Sequence, residues 1–411
     1  MRDRFDVVIA GAGPAGGQCA RDLAERNYDV LVLETESESE FPRQSNKSTA
    51  GTFPSAMTAF AIPDDVVMNY TDDVVLESPN NHYVREQTGA VLEFAEFKRF
   101  LVRDSREKGA TYRFDSRVSG PIVEDGEVVG VRYDGDEEVY ADIVIDATGP
   151  AAPLAKELGV TGLEREHQAI GIEYEFENVD VNHPEYADLR DSMMLRLDHD
   201  LAPGGYSWIF HTGGDTAKVG LCYIQNESHN QYAKEGMGID GYLDYWLESD
   251  PRFKDAERIE GTQAHRGSAH IQPPKSMSTD GFMAIGDTVP SIDPLWGEGI
   301  HKGMKSARAA AATVDAALTP EEPQTDAQTL AVYDRLWHSD VAPKQRARLM
   351  MTEILYLVPN ERYDRLMADL QGTTEDTLTQ INSGDRRAIA ELAHLSDIPM
   401  LAKYARRRLL E

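Results

Sequence analysis

The chain has 411 residues, 41% of them apolar, long enough for two or three domains around a sizeable core. Its 71 acidic residues outnumber 41 basic ones and leave a net charge of -30, which excludes nucleic acid as the main partner because phosphates would be repelled. Two cysteines, Cys19 and Cys222, can build neither a disulfide framework nor a cysteine-ligated zinc or iron–sulfur centre. No apolar run approaches the roughly 20 residues that cross a bilayer, and Met1-Arg2-Asp3-Arg4-Phe5 runs straight into the first strand. A cytoplasmic protein is expected, at most peripheral to a membrane.

In chain order, Val7-Val8-Ile9-Ala10 is a continuous apolar run, the pattern of a buried parallel strand. Gly11, Gly13 and Gly16 follow in the spacing G-x-G-x-x-G, with Pro14 and Ala15 inside it. Helical periodicity over Gln18 to Arg26 places Cys19, Ala20, Leu23 and Ala24 on one face, and a second apolar run, Val30 to Leu33, ends in Glu34. The physics of this strand–turn–helix–strand unit is specific. Gly11 permits a tight turn, Gly13 lets a pyrophosphate approach the backbone, and Gly16 lets helix and strand pack closely. The helix N-terminus offers N–H groups to the phosphates, and Glu34 can accept hydrogen bonds from an adenosine ribose. The unit predicts a dinucleotide anchor, without separating NAD from FAD.

After an acidic loop, Phe41 to Thr52 is polar and small. In a long flavin nucleotide such a loop reaches the isoalloxazine end. Ser48 and Thr49 would face it, and Arg43 is the expected counter-charge for phosphate or flavin oxygens. Mixed strand signals fill residues 56–90, and Phe94 to Lys108 reads as an amphipathic helix with Phe97, Phe100 and Leu101 on its apolar face. Tyr112 to Asp146 alternates with period two, with turns at Glu124-Asp125-Gly126 and Asp134-Gly135-Asp136. Val118 lies in this stretch and is assigned to the cofactor site. The last strand ends at Ala147-Thr148-Gly149, so Thr148 and Gly149 are expected beside the same nucleotide, at the carboxyl end of the sheet.

Alternating strands dominate residues 165–255, and Tyr206, Trp208 and Phe210 are expected to wall a substrate pocket. Gly281 to Asp287 is a further apolar strand ending in Gly286-Asp287, where Asp287 can accept a ribityl hydroxyl. Gly297, Gly299 and Ile300 precede an alanine-rich helix, Lys302 to Leu318, whose N-terminus can stabilise charge on a reduced flavin. A Pro/Glu/Thr linker, Thr319 to Thr325, leads to helices broken at Pro359-Asn360 and Ser383-Gly384 and to a basic tail, Lys403 to Arg408. There is no internal repeat and no second G-x-G-x-x-G unit, hence no separate nicotinamide domain. The expected fold is α/β: a Rossmann-like FAD-binding domain from residues 1–160 and 256–318, an inserted antiparallel-sheet (α+β) substrate domain at 161–255, and a helical region at 319–411.

Gly11 to Gly16 with Glu34, Asp146-Ala147-Thr148-Gly149, and Gly286-Asp287 together resemble the FAD-dependent oxidoreductases of the aromatic-hydroxylase type. Within that group, Tyr206-Ser207-Trp208-Ile209-Phe210 followed by Gly220 resembles the Y-x-W-x-F-P…G-x-G signature of geranylgeranyl reductases, and Pro294 to Ile300 resembles their flavin-contacting glycine loop. His211 stands where that family has proline, and Cys222 where it has the last glycine. Ser48-Thr49-Ala50-Gly51 replaces a cysteine-containing loop. Phe94-Ala95-Glu96-Phe97-Lys98 replaces an R-x-x-F-D pattern, so no arginine is carried over there. The resemblance implies bound FAD, reduction of isoprenoid C=C bonds in membrane lipids, and electrons from a ferredoxin or NAD(P)H. It leaves the proton donor unassigned. A flavin monooxygenase or halogenase of the same fold is the alternative, although the halogenase W-x-W-x-I-P motif matches less well. The dispersed acids, with Arg favoured over Lys, resemble proteins of salt-loving organisms.

Overall fold

The structure is a computed structural model describing residues 3–46, 48–383 and 385–392, with residues 394, 397, 398, 402 and 404. Of the expected features, Gly384 and, apart from Tyr404, the basic tail Lys403 to Arg408 lie outside the described residues.

The apolar runs build one sheet. Strand Arg4–Ala10 lies between Val30–Leu33 and Glu137–Asp146, parallel to both, with Val7 opposite Val30 and Ile143. Thr111–Arg113 extends the sheet beyond Val30–Leu33, and Phe282–Ala284 extends it beyond Glu137–Asp146, again in parallel. Val7, Val8, Ile9, Val144 and Ile145 are completely buried, as both faces of such a sheet require. Helices Pro14–Ala24, Phe94–Glu107 and Ile300–Leu318 pack together beside it. The first of these starts four residues before the expected Gln18, because Pro14 occupies the first turn, where a missing N–H costs nothing. Two antiparallel strands, Val118–Glu124 and Glu127–Tyr133, turn at Asp125-Gly126 as expected and join Glu137–Asp146.

The alternating strands build a second, nine-stranded sheet in the order 257–258, 168–177, 216–224, 205–213, 192–196, 67–77, 82–92, 51–52, with 265–270 also paired to 168–177. This sheet is not confined to residues 161–255. It takes in Val67–Glu77 and His82–Leu92, two 11-residue strands from the stretch of mixed signals, and strands after residue 256. Nor is it wholly antiparallel, since Ser192–Arg196 runs parallel to Val67–Glu77. Helix Ile239–Ser249 covers its outer face with the buried Tyr242, Leu243 and Trp246. The C-terminal helices, Gln345–Leu357 and Asn360–Gln371, break at Pro359 as expected and pack against the sheet through Tyr356, Tyr363 and Met367. Among the described residues, no helix is long and apolar enough to cross a membrane.

Candidate active site

The carboxyl ends of the first sheet face the inner surface of the second across one cavity of about 1850 Å³. Its near end is the nucleotide anchor. A Cβ on Gly11, whose φ is +100°, would lie 2.6 Å from the Ala147 carbonyl oxygen, and one on Gly16 would lie 2.0 Å from that of Gly11. Those two glycines therefore exist for turn and packing. Gly16 does not line the cavity, whereas Gly11, Gly13, Pro14 and Ala15 do. At Gly13 a Cβ would meet nothing within 4 Å. It is the glycine whose free side is open for a ligand. Glu34 is pinned at the rim: one oxygen accepts from the Ala12 N–H at 2.8 Å, the other from the Glu36 N–H at 3.0 Å.

The three glycine-bearing strand ends are tied together. The buried Asp146 accepts from the Thr148 N–H (3.0 Å) and hydroxyl (2.6 Å) and from the Ala155 N–H (3.0 Å), fixing the Thr148-Gly149 turn. The Gly149 N–H donates to the Thr288 hydroxyl at 3.1 Å, and the Gly286 N–H to that of Ser306 at 2.9 Å. Between them, Asp287 faces the cavity with no hydrogen-bond partner among the described residues, and burial raises its carboxyl to about 6. Gly297, Gly299 and Ile300 line the adjoining wall ahead of helix Ile300–Leu318. That loop is braced from the C-terminal region: Asp293 accepts from the Leu295 and Trp296 N–H groups at 3.1 and 3.2 Å and from Arg348 at 2.6 Å. Sequence reading missed this brace, because nothing local links residue 293 to 348.

Ser48, Thr49 and Val118 line the cavity. Arg43 does not. Its side chain is 63% exposed and pairs with Glu40 at 3.6 Å. The reason is Glu36, buried instead of solvated, which accepts from the N–H groups of Gln44 and Ser45 at 3.0 and 2.7 Å and folds the loop so that Ser45 faces inward. Lys98 lines this wall as a cation, bonded to the Ser45 hydroxyl and 4.6 Å over the Phe41 ring.

The opposite wall carries Tyr206, Trp208 and Phe210, all three on the cavity as alternation requires. Glycines receive them. A Cβ on Gly297 would lie 1.9 Å from the Tyr206 hydroxyl, one on Gly220 2.4 Å from the Trp208 ring, and one on Gly51 2.4 Å from Phe210. Cys222 sits opposite Tyr206 in register, and burial pushes its thiol up to about 12, so it is no nucleophile. His211 is turned away, accepting from the Asp191 N–H at 2.9 Å beside an irregularity that ends the regular pairing. Beyond this wall the cavity is lined mainly by apolar side chains, Leu76, Leu195, Tyr356, Leu370 and Leu378 among them, with Arg85 and Gln87 beside Tyr83 on one strand.

Comparison with known proteins agrees with this arrangement. Residues 6–210 match the lycopene cyclase protein family, and residues 168–265 match the geranylgeranyl reductase catalytic domain. A geranylgeranyl bacteriochlorophyll reductase-like protein from Thermoplasma acidophilum superimposes with a TM-score of 0.84 at 22% identity, covering 98% of this chain and 100% of that one. A flavin-dependent brominase follows at 0.73 and 20%, covering 98% and 100%, so the fold is common to reductases and halogenases. The digeranylgeranylglycerophospholipid reductase of Haloferax volcanii is 67% identical over 99% of both chains, and a second of that name from Methanopyrus kandleri is 29% identical over 98% of both. Identity of that order along the whole length decides between them, and the chain belongs to the geranylgeranyl reductase family of oxidoreductases.

Proposed function

We propose that the protein is an FAD-dependent reductase that saturates the C=C bonds of geranylgeranyl chains in digeranylgeranylglycerophospholipids. The observation that carries this is the continuity of the cavity from the Gly13 anchor to a far end lined mainly by apolar side chains. At about 1850 Å³ it is roughly twice the upper size of an ordinary small-molecule site, room for a dinucleotide and a long chain together.

The residues fit FAD. The open side of Gly13 admits a pyrophosphate, Glu34 is already oriented for ribose hydroxyls, and the unpartnered Asp287 suits a ribityl hydroxyl. Bound and reduced, the flavin supplies the hydride. The chain's own residues do the rest. An isolated alkene is a poor hydride acceptor, so Tyr206, Trp208 and Phe210 hold the prenyl chain in near-attack geometry, and the apolar wall keeps water out. With one dinucleotide unit in the chain, the reductant arrives from outside it, as a ferredoxin or a transiently bound NAD(P)H. The lipid is taken up from the membrane surface, with the protein peripheral to it. The test is an anaerobic titration: dithionite-reduced protein should be reoxidised by unsaturated geranylgeranyl lipid and remain reduced with the saturated lipid. Equal reoxidation by both lipids, or by neither, contradicts the proposal.

Asp287→Asn separates stability from binding. Its carboxyl is raised from 3.8 to about 6, so the native state holds the proton more tightly, and stability present below the unfolded value is lost as pH rises through about 6. At pH 7 the apoprotein variant is expected to be more stable than wild type by up to about 3 kcal/mol, and to equal it near pH 4. Its flavin affinity should fall by roughly 10- to 100-fold, the cost of a charge-assisted hydrogen bond. Thermal unfolding of both apoproteins across pH checks the first statement, and flavin titration the second.

A further inference from the structure

Several charged side chains on the cavity are answered within its own walls. Glu173, 2% exposed, accepts from Trp208 Nε1 at 2.7 Å and lies 3.2 Å from His265 Nδ1. Arg348 donates to Asp293 at 2.6 Å, and the Lys302 ammonium donates to the Val341 carbonyl oxygen at 2.7 Å. Arg85 differs. Its Nε is buried with no acceptor among the described residues. Its Nη2 donates at 3.2 Å to Glu375, whose side chain is 70% exposed.

Register fixes where this guanidinium stands. Tyr83, Arg85 and Gln87 alternate onto the cavity face of strand His82–Leu92. Arg85 is opposite Val74, Val74 is level with Met193, and Met193 is opposite Phe210. All four side chains line the cavity. Arg85 therefore stands three strands from the aromatic wall in one cross-strand row, about 14 Å at the usual strand spacing, with Val74 and Met193 between. Helix Glu375–Asn382 lies at that end, with Leu378 and Ile381 on the cavity and Glu375 on the outside.

An apolar residue in this row would serve packing as well or better, and a pair with an exposed glutamate contributes little once salt screens it. A planar fork with a spare donor, at the end of an apolar trough, is suited instead to a phosphate. The substrate of the proposed function carries both parts, an apolar chain and a phosphate.

We propose that Arg85 forms the headgroup subsite: it binds the phosphate of the glycerophospholipid while a prenyl chain runs past Val74 and Met193 to Phe210. The inference rests on the reductase reading. Glu375 holds the guanidinium before the lipid arrives and is displaced by the phosphate, so this carboxylate competes with the substrate. An extended geranylgeranyl chain is longer than the row, so its double bonds reach the aromatic wall while the phosphate stays at Arg85.

The measurement is headgroup preference in full-length protein loaded with FAD, at fixed KCl. It is the ratio of kcat/KM for digeranylgeranylglycerophospholipid to that for phosphate-free digeranylgeranylglycerol. Arg85→Gln should lower this ratio by about 10- to 100-fold, chiefly through KM for the phospholipid, the loss expected of charge-assisted hydrogen bonds. Arg85→Lys, which keeps the charge without the fork, should fall between. Glu375→Gln removes the competitor and should raise the ratio. Should Arg85→Gln fail to fold, the exposed Glu375 variant decides. An unchanged ratio in both variants, or equal losses on both lipids, overturns the subsite. Inorganic phosphate that raises the unfolding midpoint of wild type but not of Arg85→Gln, with the ratio unchanged, would mean a free-anion site only and overturns it too. Wild-type protein that saturates neither lipid would instead remove the reductase reading.

Discussion

A Gly13→Val variant is expected to fold like wild type and to purify without flavin. Gly13 is the residue to choose because its missing Cβ faces open cavity, with nothing within 4 Å, so valine meets no protein atom at its first carbon. The same atoms would fill the space proposed for a pyrophosphate at the start of helix Pro14–Ala24. A displacement costing about 3 kcal/mol of binding lowers affinity roughly 100-fold. Unfolding midpoints of the apoproteins should coincide, while the visible flavin spectrum is lost. Gly16→Ala is the contrast. Its Cβ would lie 2.0 Å from the Gly11 carbonyl oxygen, so helix and strand must separate and the fold itself weakens. A Gly13→Val protein with a full flavin spectrum would mean that the pyrophosphate lies elsewhere.

Arg252→Met should be among the most destabilising single changes in the chain. Arg252 is 1% exposed and bridges two carboxylates: Glu77 at 2.9 and 3.1 Å, and Asp250 at 2.7 to 3.2 Å, with the Tyr186 ring 4.0 Å from its guanidinium. Arg196 and Asp198 extend the cluster, and Asp198 accepts from Asn360 at 3.0 Å, which ties the second sheet to the C-terminal helices. Methionine fills the volume but leaves Glu77 and Asp250 short of their counter-charge, a loss of about 3–5 kcal/mol. Because the cluster is buried, the loss should be the same at low and at high KCl, unlike that of any surface pair. Denaturant unfolding reads it directly. Combining the change with Glu77→Gln should recover part of the loss, because the stranded charge is gone. A loss below about 1 kcal/mol would mean that solvent reaches the cluster.

The nucleotide half was legible in the sequence because its signals are local. Val7 to Ala10, the three glycines and Glu34 are neighbours in the chain and in space, and the structure puts Thr148, Gly149, Gly286 and Asp287 on the same cavity. The second sheet was legible as strands but not as pairing. Periodicity marked strands in 165–255, yet it carries no information that Val67–Glu77 would lie beside Ser192–Arg196. Arg43 stands off the cavity for a related reason. A loop arginine carries no direction, and burial of Glu36 set the loop so that Ser45 and Lys98 take the inner wall. Glu173 sat within an alternating strand and gave no local sign of its charge partners, which come from residues 218 and 265. The brace between Asp293 and Arg348 spans 55 positions and was equally silent.

Product mass shows whether one cavity brings a prenyl chain to a reduced flavin for saturation of its double bonds. Anaerobic protein reduced with dithionite is mixed with an unsaturated archaeal lipid extract, and the lipids are analysed by mass spectrometry. The lipids should gain two hydrogens for each double bond reduced, matched by flavin oxidation. Unchanged lipid mass, together with rapid oxidation in air coupled to hydroxylation or halogenation of a substrate, would contradict the proposed function.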